Sequence, residues 1–137
     1  MNKHFGIACA LVLAASPIRA ADDVVKIGVL GDMSGVYADG FSGRGAVAAV
    51  KMAIEDFGGS ALGHRIEIVT ADHQNKPDVG SAIVRQWADE EYVTMVADLT
   101  NSAVALAAQK AASDKRVISF TTGGATADNP PGTAPGA

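Results

Sequence analysis

The chain has 137 residues, of which 48% are hydrophobic and 19% are charged, and its formal net charge is −4. That length and composition suit a single α/β domain, or part of one. An acidic chain without a basic stripe argues against nucleic acid and against an anionic membrane surface as partners. The one cysteine, Cys9, lies in the apolar N-terminal segment, so the sequence after it offers no disulfide and no cysteine ligand for a metal.

Residues 1–20 are predicted to be an export signal. Lys3 supplies the positive charge that precedes an apolar run over residues 5–15, which is too short to span a bilayer. Residues 16–20 then lead to a cleavage point before Ala21. The alternative is an N-terminal tail that is disordered or packs on the domain.

Strand and helix patterns alternate along the rest of the chain. Val24–Leu30 is a nearly continuous apolar, β-branched run that breaks into Gly, Asp and Ser, as a strand buried on both faces does where it ends in a loop. Further strands are predicted over Arg65–Ala71, Val93–Ala97 and Val117–Phe120, and helices over Gly43–Phe57, Pro77–Glu91 and Ser102–Asp114. The order β-α-β-α-β-α-β with short connections predicts an α/β fold with a doubly wound parallel sheet.

Local signals support the helix boundaries. Apolar residues of the first helix recur at helical spacing, and Gly58-Gly59 ends it because glycine tolerates the left-handed turn. Pro77 and Asp78 suit the first turn of the second helix. After Thr121 comes a Gly-rich loop, and residues 129–137 are Pro/Gly-rich and predicted to be disordered, which leaves 21–128 as the folded unit.

Three segments carry a family resemblance: "KIGVLGDMSGVYADG", "GHRIEIVTADHQNKPDVG" and "NSAVALAAQ". In this order they resemble the solute-binding proteins of branched-chain-amino-acid-type ABC transporters, which have the type I periplasmic binding fold. The resemblance implies a sheet order of 2-1-3-4 for the four predicted strands. It also implies that this chain is a partial first lobe, and a truncated or frameshifted reading frame would explain its atypical C-terminal tail.

The resemblance further implies a function without catalysis. A periplasmic, monomeric protein of this family captures a small solute between two lobes, closes by hinge motion and delivers the solute to the membrane subunits of an ABC permease. No cofactor and no metal are implied. The implied ligand is a branched-chain amino acid or a related small carboxylate; relatives also use amides and small aromatic carboxylates.

Candidate ligand-binding residues lie in three loops that follow predicted strands, because open α/β sheets bind ligands beyond the carboxyl ends of their strands. Small hydroxyls, backbone N–H groups at a helix start and glycines that permit close approach suit a carboxylate. By its position in the family, Thr126 matches a hydroxyl that contacts the zwitterionic end of an amino acid. The alternatives are ordinary loop residues and, for Asn101 or Ser102, helix capping alone. The candidates are Ser34, Tyr37, Asn101, Ser102, Gly124, Ala125 and Thr126.

Enzyme-like signals are weak. Gly43–Ala48 fits a dinucleotide-binding fingerprint but does not directly follow the first strand, and Gly31–Ser34 resembles an esterase motif without a positioned base. Asp72 and His73 lack the spacing of metal ligands and are interpreted as a solvated loop. An exported α/β hydrolase or oxidoreductase fragment, or a non-functional truncated frame, remain as alternatives to a binding protein.

Overall fold

A computed structural model of the chain describes residues 24–40 and 42–124. The predicted export signal, Ala125, Thr126 and the Pro/Gly-rich tail lie outside the described residues. The strands are β1 (Val24–Gly31), β2 (Ser60–Ala61), β3 (His64–Asp72), β4 (Met95–Asp98) and β5 (Ile118–Thr121). The helices are α1 (Arg44–Asp56), α2 (Pro77–Gln86) and α3 (Ser102–Lys115), and a π-helical turn, Trp87–Glu91, continues α2.

The five strands form one sheet in the order β2-β3-β1-β4-β5. The four longer strands are parallel, and β1 pairs along its whole length with β3 and over Ile27–Leu30 with β4. The doubly wound parallel sheet and the implied strand order are therefore confirmed. The predicted limits of these four strands lie within two residues of the observed ones.

The predicted β-α-β-α-β-α-β order is wrong in one respect, because it lacks the short strand β2. Ser60–Ala61 pairs antiparallel with the start of β3 through a two-residue turn at Leu62 and Gly63. Both turn residues have positive φ, 52° and 85°, as a type I′ hairpin turn requires. Leucine at such a position is not a hairpin signal, so the sequence pattern does not reveal this edge strand.

The second predicted helix also needs correction. Pro77–Glu91 is not one α-helix, since it widens into the π-helical turn after Gln86 and ends at Tyr92, whose φ of 56° is left-handed. The backbone N–H of Val93 donates to the carbonyl of Trp87 at 3.1 Å. This turn carries the buried ring of Trp87 onto the sheet.

One face of the sheet holds the main core. Leu30 and Val96 on the strands pack there with Val84 of α2 and with α3, and all three named residues are fully buried. Helix α3 contributes mostly alanines, whose small side chains let it lie close to its neighbours. The buried alanines of α3 are Ala105, Ala108, Ala111 and Ala112.

The opposite face is only partly covered. Helix α1 has no buried residue, and residues of α1 and of the sheet together line a cavity of about 300 Å³. Phe57, Ile118 and Phe120 are 68%, 51% and 59% exposed. Across the described residues, no helix combines the length and the apolar character needed to cross a bilayer. The cavity is lined by Ile27, Val50, Ala53, Ile54, Phe57, Ile66, Met95 and Ala97.

Candidate functional site

The carboxyl ends of β1, β4 and β5 lie at the same edge of the sheet because these strands are parallel neighbours. After β1 the chain forms β3 on one side of β1, and it later forms β4 on the other side. The gap between the ends of β1 and β4 is thus the topological switch point, where open α/β sheets bind ligands. The candidate residues that the structure describes all follow one of these three strands.

The loop after β1 is shaped by a buried carboxylate, Asp32. Its Oδ1 accepts from the backbone N–H of Gly35 at 2.8 Å, and its Oδ2 accepts from that of Tyr37 at 3.2 Å. Ser34 and Tyr37 are both exposed on this loop. Sequence reasoning chose those two residues and missed Asp32, although an Asp followed three residues later by Gly is a known turn signal.

Ser34 ties this loop to the end of β3, because its side chain hydrogen-bonds to Asp72. The Asp72 Oδ1 atom also accepts from the backbone N–H groups of Met33, at 3.1 Å, and Gln74, at 2.7 Å. Burial acts to raise the pKa of Asp72, but these hydrogen bonds and the charge of His73 outweigh it and hold the pKa below its ordinary value. Asp72 is therefore an anion at neutral pH.

The prediction that Asp72 and His73 belong to a solvated loop is wrong for His73, because its side chain is fully buried. Its Nδ1 accepts from the backbone N–H of Asn75 at 2.9 Å, while its Nε2 has no hydrogen-bond partner. Burial lowers the pKa of His73, against the opposing charges of Asp32, Asp72 and Asp98. Within residues 24–40 and 42–124, no group of three or more His, Cys, Asp or Glu side chains is arranged to hold a metal.

Asn101 caps α3, as predicted. Its side-chain oxygen accepts from the backbone N–H of Val104 at 3.0 Å, and its own backbone is extended. Ser102 is the first residue of the helix and is half-buried. The positive end of the α3 dipole therefore points toward the switch point with Asn101 and Ser102 at its tip.

The loop after β5 is held to the end of β4. The backbone N–H of Thr122 donates to the carbonyl oxygen of Asp98 at 2.8 Å, and the Thr122 hydroxyl lies 2.9 Å from the same oxygen. Gly124 follows two residues later and is half-buried.

The Asp98 side chain lies beneath all three loops and is 2% exposed. Its Oδ2 accepts from the hydroxyl of Ser42 at 2.9 Å and from the backbone N–H of Gly43 at 3.0 Å. Its Oδ1 lies 2.7 Å from the hydroxyl of Thr100 and 3.1 Å from that of Thr122. Sequence reasoning missed this residue; the only signal was an acidic side chain at the end of a buried strand.

The structure thus places Ser34, Tyr37, Asn101, Ser102 and Gly124 at one edge of the sheet. Their role in ligand binding stays a prediction. The arrangement offers hydroxyls, a capped helix start and a glycine, which are groups that donate hydrogen bonds to an anion.

Comparisons with known proteins give consistent results. A profile of the family described as periplasmic binding protein matches residues 24–136. No curated protein sequence gives a significant match. A solved periplasmic binding protein from Burkholderia mallei is 44% identical, with a TM-score of 0.70, over 74% of this chain and 27% of that one.

Two further solved structures are similar. A branched-chain amino acid ABC transporter periplasmic ligand-binding protein from Burkholderia xenovorans is 48% identical, with a TM-score of 0.69, over 72% of this chain and 26% of that one. An ABC transporter solute-binding protein from R. palustris, in complex with 4-hydroxybenzoate, is 27% identical, with a TM-score of 0.71, over 77% of this chain and 28% of that one. The chain therefore spans little more than a quarter of the length of these relatives.

Proposed function

Since the chain belongs to the periplasmic binding protein family, we propose that its three loops form the first-lobe half of a cleft that binds a small carboxylate-bearing solute. One observation carries this proposal: the capped start of α3, at Asn101 and Ser102, directly follows the end of β4 at the topological switch point beside β1. Ligand contacts from Ser34, Tyr37, Gly124, Ala125 and Thr126 belong to the same proposal.

The chemistry of the relatives' ligands supports a carboxylate as the shared group. One relative carries 4-hydroxybenzoate and another is named for branched-chain amino acids. A hydroxybenzoate and a branched-chain amino acid have a carboxylate in common and differ in almost everything else. The half-cleft on this chain would therefore hold the carboxylate, and a second lobe would select the remainder. A branched-chain amino acid is the first ligand class to test, and a small aromatic carboxylate is the second.

The proposed cellular role is transport. The protein would be exported through residues 1–20, act as a monomer in the periplasm, close on its solute by hinge motion and deliver it to ABC permease subunits. Expression in a Gram-negative host should then give a periplasmic product that begins near Ala21. N-terminal mass analysis that finds Met1 on a cytosolic product would contradict the export step.

NMR titration of the 137-residue chain tests the binding site. Leucine, valine and 4-hydroxybenzoate should each shift the amide signals of the loops saturably, with a weak dissociation constant on the order of millimolar because only half of the cleft is present. Ser102→Ala should weaken binding by about 10- to 150-fold, as expected for a lost hydrogen bond to a charged group.

Two controls sharpen that titration. Leucinamide and methyl 4-hydroxybenzoate lack the free carboxylate and should cause no saturable shifts. Ser113→Ala changes an exposed serine near the other end of α3 and should leave the affinity unchanged. Equal binding of the neutral analogues, or no binding of any acid, would contradict the proposal.

We propose no catalytic activity. The Ser34 side chain hydrogen-bonds to Asp72, whose lowered pKa makes it a weak base, and neither ring nitrogen of His73 bonds to Ser34, so Ser34 lacks the neighbouring base that a serine nucleophile needs. A screen with ester, phosphate and nicotinamide substrates should give no turnover above buffer. Turnover that is lost on Ser34→Ala would favour the hydrolase alternative.

A further inference from the structure

The carboxylate of Asp98 is the point where the three loops meet. Its Oδ2 atom holds the end of the loop after β1, through Ser42 and Gly43. Its Oδ1 atom holds the other two loops, through the hydroxyls of Thr100 and Thr122. Both oxygens are therefore occupied by protein donors, and the side chain is nearly inaccessible to solvent. Asp98 has no free oxygen to offer a ligand.

The backbone near the Asp98 carboxylate has two unusual features. Asp98 and Leu99 both have positive φ, 85° and 54°, a conformation that ordinary residues adopt only when their surroundings enforce it. A β-carbon at residue 31 would lie 2.6 Å from Asp98 Oδ2, so the glycine there lets the carboxylate reach the end of β1. The positive φ values at the end of β4 and the glycine at the end of β1 thus both accompany the close approach of the Asp98 carboxylate to β1.

We propose that Asp98 is a positioning residue for the binding site: it sets the relative positions of the three loops and so controls affinity without touching the solute. This inference rests on the proposed function, because the loops matter only if they bind a ligand. The loops approach one another from distant parts of the sequence, and the hydrogen bonds to Ser42 and Thr122 join residues 56 and 24 positions away. The carboxylate ties all three, so its removal should move all three together.

Two substitutions at this position have different expected effects. Asp98→Ala removes every side-chain tie. Asp98→Asn keeps a side-chain oxygen that can accept a hydrogen bond from the backbone N–H of Gly43. Its amide N–H groups would face the two threonine hydroxyls, which can rotate and accept hydrogen bonds. A positioning role therefore predicts that asparagine rescues the site, whereas a role based on the negative charge predicts that asparagine fails like alanine.

The test uses NMR on the 137-residue chain, with leucine and 4-hydroxybenzoate as probes. Asp98→Ala should shift the amide signals near Ser34, Ser102 and Gly124 together and weaken probe binding by about tenfold or more. Asp98→Asn should keep the affinity within about threefold of the parent chain. If Asp98→Ala does not fold, Ser42→Ala and Thr122→Val each cut one tie, and each should shift amides in the loop on the other side of Asp98.

A destabilising control away from the loops separates positioning from general destabilisation. Val117 is 4% exposed and lies just before β5, at the opposite edge of the sheet from the loops. Val117→Ala should lower the stability but leave the affinity within about twofold. An equal loss of affinity in Val117→Ala, or an effect of Asp98→Ala confined to residues 97–99, would overturn the inference. A parent chain that binds neither probe contradicts the proposed function, while the shift pattern of the variants still decides whether Asp98 couples the loops.

Discussion

The ring of Trp87 packs directly on the backbone of Gly28. A β-carbon at residue 28 would lie 2.4 Å from Cζ3 and 2.5 Å from Cε3 of the indole, closer than real carbon atoms approach. The buried ring therefore occupies the space that a side chain at this central position of β1 would need. The π-helical turn after α2 delivers the ring to that place.

This contact predicts a cost for Gly28→Ala. The added methyl group forces the ring or the strand to move, and such overpacking typically costs about 1–3 kcal/mol. Urea unfolding should show that loss. The matched control is Gly40→Ala, where the nearest atom to an added β-carbon is 3.6 Å away, and its effect should stay within about 0.5 kcal/mol. Equal effects of the two substitutions would contradict the packing argument.

The cap of α3 gives a second prediction. Asn101→Ala leaves the Val104 N–H without its side-chain acceptor and should lower the free energy of unfolding by about 1 kcal/mol. Asn101→Asp keeps an acceptor and adds a negative charge at the positive end of the helix, so it should restore the parent stability. Equilibrium unfolding of both variants at pH 7 makes the comparison. Aspartate and alanine behaving alike would argue against the cap.

His73 predicts how stability depends on pH. Its pKa is lowered in the folded chain, so the unfolded chain binds the proton more readily and stability falls as pH drops below the ordinary value of 6.5. The charged groups that face it are the carboxylates of Asp32, Asp72 and Asp98. His73→Asn keeps an acceptor for the Asn75 N–H and removes the titration. Unfolding measured between about pH 7 and 5 should therefore become less dependent on pH.

Two comparisons check that assignment. The same substitution at the other described histidine, His64→Asn, is the matched control, because it leaves His73 buried and the part of the slope that His73 causes should remain. The His73→Asn variant should still lose stability at more acidic pH. The pKa of Asp72 is lowered in the folded chain, so the stability that its carboxylate contributes is lost as the pH falls below the ordinary value of 3.8. A slope between pH 7 and 5 that is unchanged in His73→Asn would show that another group is responsible.

The partly covered face of the sheet gives a fourth prediction. Phe57 and Phe120 are 68% and 59% exposed on that face, so the parent chain should bind the apolar dye ANS there. The double variant Phe57→Ser/Phe120→Ser should reduce the dye fluorescence while changing stability by only about 0.5 kcal/mol. Leu62→Ser, at a 98% exposed leucine in the β2–β3 turn, is the control and should leave the fluorescence unchanged. A larger decrease in the control would contradict this location of the dye.

The main features of the fold could be predicted from local patterns. A buried parallel strand such as β1 is a continuous apolar run, and Gly58-Gly59 ends α1 with φ values of 94° and 73° as predicted. The cap at Asn101 was likewise predictable, because a cap depends on residues three apart. The parallel sheet follows from the order of such elements, and its strand order was implied by the family resemblance.

Tertiary structure alone decided the interior of the candidate site. Asp98 bonds to Ser42 and Gly43, which lie 56 and 55 positions away, and no local pattern marks such partners. His73 follows a predicted strand in a polar stretch, yet it is fully buried, because its backbone bonds to the end of β1 and its side chain lies beside α2. The hydrophobic periodicity of a helix or strand shows which face of that element a residue occupies. Burial and hydrogen bonding at the strand ends depend instead on which loops, distant in sequence, pack against those ends.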